Sequence, residues 1–89
     1  MKAIVTVLGK DTVGIIAAVC ALLSQYNVNV LDISQTILQE YFTMVMMVDM
    51  SECTASFAEL ASELEKAGEE RGLSIRIQRE DIFNAMHRI

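Results

Sequence analysis

Residues 9–16 read Gly-Lys-Asp-Thr-Val-Gly-Ile-Ile, and this stretch joins a predicted strand to a predicted helix. The preceding residues 3–8, Ala-Ile-Val-Thr-Val-Leu, are rich in β-branched side chains and apolar on both faces, which is typical of a central strand. Apolar residues then recur at helical spacing, which predicts a helix over residues 13–26. The start of this helix leaves backbone N–H groups free, and Asp11 or Thr12 is a candidate cap for them.

The rest of the chain predicts three more strands and a second helix. Residues 28–38 and 41–50 each have the pattern of a strand, and the short turn between them predicts an antiparallel hairpin. Apolar residues at helical spacing between Phe57 and Ala67 predict an amphipathic helix, which Gly72 ends. Residues 73–78 have the composition of a last strand.

The predicted order of elements is β-α-β-β-α-β. This order is typical of an α+β, ferredoxin-like sandwich in which both helices cover one face of a four-stranded antiparallel sheet. Right-handed crossovers give the spatial order second, third, first, fourth, so the second strand lies at an edge. We expect Leu31, Ile33 and Ile37 of that strand to form a buried face, and an apolar edge favours pairing with a second copy.

The chain is predicted to form a single domain, with a core over residues 2–78 and a tail helix over residues 81–89. One side of the tail helix would carry Ile82, Met86 and Ile89. A helix this short is not stable alone in water. We therefore expect it to pack on the sheet, on a helix or on a partner.

Composition restricts the classes of function. The 89 residues carry a net charge of −5, which disfavours binding to nucleic acid, and no apolar stretch is long enough to cross a membrane. The first residues enter a strand pattern without a signal peptide, so we expect a cytoplasmic protein. Because 53% of the residues are hydrophobic, more than a small monomer needs, we expect a homodimer or a larger homo-oligomer.

No catalytic, metal or cofactor site is legible. Cys20 and Cys53 lie far apart, without the spacing of a metal or redox motif, and are expected to be free thiols. His87 is the one histidine, and neither a serine nor a cysteine stands in a recognisable nucleophile motif. The glycine loop also lacks the Gly-Lys-Ser/Thr ending of a phosphate-binding loop.

Two stretches and the order of elements together resemble the ACT domain family. The strand is followed by Gly-Lys-Asp-Thr-Val-Gly-Ile at residues 9–15, and the helix ends in Tyr-Asn-Val-Asn-Val at residues 26–30. The likeness covers about residues 2–78. The ending, residues 78–89, resembles the tail of short stand-alone bacterial and archaeal ACT proteins of unassigned function.

The resemblance implies a regulatory domain that binds an amino acid or another small metabolite between two copies. Carried over by position, the ligand-binding residues would be Asp11, Val13, Gly14, Ile15 and Asn29, with the loop from one copy and Asn29 from the other. Val13 stands where many members of the family have proline.

The chemistry of these residues suits a zwitterion. A helix N-terminus favours a carboxylate, Asp11 can meet an ammonium group, and Asn29 offers both a donor and an acceptor. A purely structural interpretation remains open, in which Asp11 caps the helix and Gly14 allows close packing. We therefore expect a small-molecule regulatory domain; the alternatives are a protein-interaction module without a ligand, and a small enzyme.

Overall fold

The computed structural model describes residues 1–10 and 14–80, which form the predicted β-α-β-β-α-β succession. The elements are β1 Lys2–Gly9, α1 Ile15–Gln25, β2 Asn29–Leu38, β3 Tyr41–Asp49, α2 Phe57–Arg71 and β4 Ser74–Arg79. The ferredoxin-like fold is thereby confirmed. The predicted tail helix over residues 81–89 and His87 lie outside the described residues.

The four strands form one antiparallel sheet in the predicted order β2-β3-β1-β4. The register of the strand pairs shows which strand ends lie at the same end of the sheet. Gly9, at the end of β1, is level with Phe42 of β3 and therefore with Ile37 of β2. Lys2, at the start of β1, is level with Asp49 and hence with Asn29. The starts of β1 and β2 therefore lie at the same end of the sheet.

The core fills the space between the sheet and the two helices. Alternate residues of β1 and β3 are fully or almost fully buried: Ala3, Val5, Val7, Phe42, Met44, Met46 and Val48. Leu60 and Leu64 cover them from α2, and Val19 and Leu23 cover them from α1. The methionines of β3 are thus mainly packing residues, which suits their flexible side chains.

Helix α1 begins later than the sequence predicts. Gly14 has φ +73°, in the left-handed region, so it precedes the helix instead of belonging to it, and Ile15 is the first helical residue. The helix ends at Gln25, with Tyr26 as its C-cap. The Tyr26 carbonyl then accepts a hydrogen bond from the Thr54 N–H at 3.0 Å, which ties the end of α1 to the loop before α2.

The predicted burial of β2 is wrong for a single chain. Leu31, Ile33 and Ile37 are 46%, 38% and 69% exposed. Ile33 and Ile37 pair with buried residues of β3 and so face the helix layer, but the helix layer leaves both side chains exposed. A register shift between Val30 and Asp32 leaves Leu31 unpaired as a bulge, which interrupts the simple alternation of faces. We call Leu31, Ile33 and Ile37 the β2 border.

Candidate functional site

At the start of α1, several backbone N–H groups have no hydrogen-bond partner among the described residues. The Ala18 N–H donates to the Gly14 carbonyl at 3.0 Å and closes the first turn, so the amides of Ile15, Ile16 and Ala17 have no partner within the helix. Among the described residues, no side chain caps this end and no acidic side chain lies in its first turn. A helix start in this state attracts an anion.

Helix α2 offers a comparison within the same molecule. The Ser56 Oγ accepts a hydrogen bond from the Glu59 N–H at 3.1 Å, and the Glu59 carboxylate lies in the first turn. Both features satisfy or neutralise the positive end of that helix. Within the described residues, the start of α1 therefore differs from that of α2 in having neither a side-chain cap nor an acidic side chain.

Four of the five predicted ligand residues belong to the stretch between β1 and the first turn of α1, and two of them, Gly14 and Ile15, are described. Gly14 is exposed, and a Cβ built on it would meet nothing within 4 Å, so open space lies beside it. The Ile15 side chain is only 3% exposed and belongs to the core, so this residue offers a ligand its backbone N–H. Asp11 and Val13 lie outside the described residues.

Asn29, the third predicted ligand residue that the structure describes, is the first residue of β2 and is exposed. Its carboxamide makes no hydrogen bond with another described residue. Its cross-strand partner is Asp49, whose Oδ1 accepts hydrogen bonds from the N–H of Ser51 at 2.9 Å and from its hydroxyl. A carboxamide and a carboxylate thus lie side by side. Sequence reasoning missed Asp49, although extending the register of the β2–β3 hairpin back to Asn29 would have paired the two residues.

The hydroxyl and N–H of Ser51 lower the pKa of the Asp49 carboxyl below its usual 3.8. The carboxylate is therefore charged throughout the neutral range. Because the pKa is depressed in the folded state, any stabilisation from these hydrogen bonds is present above pH 3.8 and is lost as the pH falls through the folded value.

We predict that Ser51→Ala raises the pKa of Asp49 back toward 3.8, because the larger of the two hydrogen-bond contributions comes from the side chain of Ser51. A carboxyl-carbon NMR titration between pH 2 and 6 would measure the change. Ser34→Ala, at an exposed position of β2 that pairs with Val45, is the control and should leave the Asp49 titration unchanged. An unchanged Asp49 titration in Ser51→Ala would contradict the assignment of the hydroxyl as donor.

The structure does not bring Gly14 and Asn29 together within one chain. Gly14 precedes α1, whose 11 residues span about 16 Å, and Asn29 follows its far end. Along the sheet, Asn29 is level with Lys2, whereas the loop begins at Gly9, about 23 Å further along the strand direction. One chain therefore presents the two halves of the predicted site at opposite ends.

Two surface grooves formed by the described residues lie away from both halves. One, of about 370 Å³, runs between α2 and β4 and is lined by Leu73, Ile75 and Ile77 with Glu65 and Glu69. The other, of about 290 Å³, separates the outer faces of α1 and α2. Neither groove borders Gly14 or Asn29.

Two further findings concern only the described part of the chain. Residues 1–10 and 14–80 contain no group of three or more His, Cys, Asp or Glu side chains placed to hold a metal ion. In the same ranges, neither helix has both the length and the apolarity that a membrane crossing requires.

Comparison with known proteins gives consistent matches along the whole chain. The family model described as ACT domain matches residues 2–78. A UPF0237 protein of Clostridium acetobutylicum is 55% identical over 89 residues, which is all of both chains. A solved ACT domain protein from Streptococcus pneumoniae is 45% identical, with a TM-score of 0.84 over 98% of each chain.

A more distant solved structure shares the fold. The regulatory subunit of aspartate kinase from Thermus thermophilus is 23% identical, with a TM-score of 0.65 over 86% of this chain and 50% of that one. At this identity the likeness concerns the arrangement of helices and strands alone.

Proposed function

The chain belongs to the ACT domain family, and on that premise we propose that it is a stand-alone regulatory domain that binds an amino acid between two copies of itself. Members of this family regulate associated activities. One fold relative, the aspartate kinase subunit, is named as regulatory. Differential affinity of the ligand for two arrangements of the dimer, or for free and partner-bound states, would transmit the signal.

The separation of Gly14 from Asn29 is the observation that supports a shared site most strongly. A two-fold axis that pairs the free edges of two β2 strands antiparallel reverses one strand relative to the other. The partner's Asn29 end then lies at the Leu38 end of the first copy, where β1 also finishes and α1 begins. Each dimer would contain two such sites.

The chemistry of the two halves is complementary to a zwitterion. The free amides of Ile15, Ile16 and Ala17 suit a carboxylate. Asp11 from the loop, and Asn29 with its neighbour Asp49 from the second copy, suit an ammonium group. Among the residues we assign here, Asp11 and Val13 rest on position in the family motif.

Calorimetry against the standard amino acids tests the proposal. We expect one or a few of them to bind, and Asp11→Ala to weaken that binding by at least about tenfold, because a charge-assisted hydrogen bond is worth about 1.5–3 kcal/mol. Glu65→Ala, on the exposed side of α2, is the matched control and should bind as the wild type does. Absence of heat and of thermal shift across the panel would contradict the proposal.

Mixing two weakly binding variants tests whether the site is shared. Asp11→Ala and Asn29→Ala each weaken both sites of a homodimer. After joint unfolding and refolding, each heterodimer regains one intact site, which combines the loop of one variant with Asn29 of the other. Since half of the dimers are then mixed, about a quarter of the wild-type capacity should return. No recovery, with heterodimers demonstrated by mass spectrometry, would place the whole site in one chain.

The second candidate function is a protein-interaction module without a ligand. It is favoured by apolar side chains exposed on the sheet face opposite the helices, near the β2–β3 turn: Leu8, Leu38, Tyr41 and Val45. A partner that binds this region would be lost with Leu38→Asp, whereas the dimer and any calorimetric response to amino acids would be kept. That pattern of results separates the two functions.

A further inference from the structure

We propose that residues 81–89 pack against the second face of the sheet, the one that α1 and α2 do not cover, with Ile4 at the centre of the contact. We call this surface the open face. Its occupant would be the chain's own tail.

The burial of Ile4 requires a cover on the open face. Ala3, Val5 and Val7 point toward the helices, so Ile4 points away from them, and yet it is only 7% exposed. Val45 lies on the same face in the other central strand and is 38% exposed. No helix or strand within residues 1–10 and 14–80 lies over this position.

On the open face, the cross-strand row that contains Ile4 is more deeply buried than the row next to it. Met47 and Gln78 flank Ile4 on the two neighbouring strands, and both are half-buried. The adjacent row runs in the order Ser34, Val45, Thr6 and Arg76. Thr6 is half-buried there and the other three are exposed. A cover of limited width over the Ile4 row accounts for this difference between two equivalent places on one face.

The chain leaves the sheet beside this row. Arg79, the last residue of β4, pairs with Ala3, and Gln78 pairs with Ile4 itself. Glu80, the next residue, already has helical backbone conformation. Residue 81 therefore follows within a few ångströms of the patch, because paired strands are about 4.8 Å apart.

The tail has the length and composition for this contact. Its apolar residues are Ile82, Phe83, Met86 and Ile89. Nine residues in helical conformation extend about 13 Å, enough to cross from β4 over β1 to β3, which are two strand spacings or about 10 Å apart. Above the two central strands the helix-covered face has no room for it, since the side chains of Val5, Val7, Met44 and Met46 are already fully buried there.

Two other occupants make different predictions. The groove between α2 and β4 would place the tail against Leu73 and Ile77, on the opposite side of the sheet, and would leave Ile4 uncovered. A second copy packed on the open face would cover Ile4 only in an oligomer. Contacts to Ile4 that arise within one chain therefore distinguish the chain's own tail from both alternatives.

Methyl NMR of the full chain distinguishes the three arrangements. We expect nuclear Overhauser effects between the Ile4 δ-methyl and the methyls of Ile82 or Met86. In a sample mixed from labelled and unlabelled chains these effects should arise within one chain. Contacts of the tail with Leu73 or Ile77, contacts that arise only between chains, or no contact with Ile4 would each overturn the proposal.

A pair of full-length variants provides a second test. Met86→Asp places a charge on the apolar side of the tail and should lower the Tm by roughly 10 °C. Asn84→Asp, the matched control with the same charge on the other side, should shift the Tm by less than about 2 °C. The Ile4 methyl resonance should also move in the first variant only. Equal Tm values for the two variants would overturn the proposal.

Discussion

Phe42→Ala is expected to lower the free energy of unfolding by about 3–5 kcal/mol, which consumes much of the stability of a domain this size. The Phe42 side chain is 2% exposed and lies at the end of the core, level with Gly9 of β1. Its removal leaves a cavity between the sheet and the helices that rigid neighbours fill only in part. Denaturant unfolding followed by circular dichroism measures the loss, which corresponds to a fall in Tm of roughly 15 °C or more.

Tyr41→Ala is the matched control for this change. Tyr41 precedes Phe42 in the same strand but faces the other way and is 43% exposed. Its ring lies 5.7 Å from Lys10 Nζ, a contact worth about 0.5–1 kcal/mol at an exposed site. The two aromatic truncations should therefore differ severalfold in their effect on stability. Similar losses from both would contradict the assignment of the core to one face of β3.

The second large effect concerns assembly. The double variant Ile33→Lys with Ile37→Lys is expected to convert a dimer into a monomer of 9.9 kDa at micromolar concentration. Both side chains belong to the exposed β2 border, so the fold of one chain does not depend on them. Two lysines at the junction of paired edges repel their symmetry mates and remove apolar area, which should weaken association at least about 100-fold.

Light scattering coupled to size-exclusion chromatography measures this change. Ala58→Lys with Ser62→Lys adds the same charge to the exposed side of α2 and should leave the mass unchanged. The circular dichroism spectrum of both double variants should match that of the wild type. A wild-type mass equal to one chain would contradict the shared site itself, whereas a dimeric border variant would show that association uses another surface.

The order of elements could be predicted from the sequence because each element carries its own local signal. The β-branched run of β1, the apolar spacing of α2 and the turn between β2 and β3 each depend on neighbouring residues only. Right-handed crossovers then leave few arrangements, and the predicted strand order is confirmed. Gly72 ends α2 at φ +71°, as expected of a glycine after a helix.

Features that depend on distant parts of the chain were harder to predict. Alternation in β2 predicts a buried face, but burial also requires a cover above the strand, and the β2 border stays exposed within one chain. The bulge at Leu31 has no local marker such as glycine. The late start of α1 follows from the backbone angle of Gly14, which composition and spacing do not specify.

The candidate site divides in the same way. The loop and Asn29 could be selected from sequence because they match a family motif, and their roles in binding remain predictions. Asp49 was missed, since its nearness to Asn29 depends on the register of two strands. The distance between Gly14 and Asn29 likewise becomes visible only once the sheet is assembled, because it depends on the direction of β2 relative to α1.

The β2 border also affects how this protein responds to dilution. In the proposed dimer each copy covers the border of the other, so at concentrations where the dimer persists, unfolding also separates the two copies. Each tenfold increase in protein concentration then adds about 1.4 kcal/mol to the resistance of the dimer to unfolding. The expression level would therefore affect the stability of the protein against unfolding as well as its amount. A cell that makes little of it would contain a less stable protein.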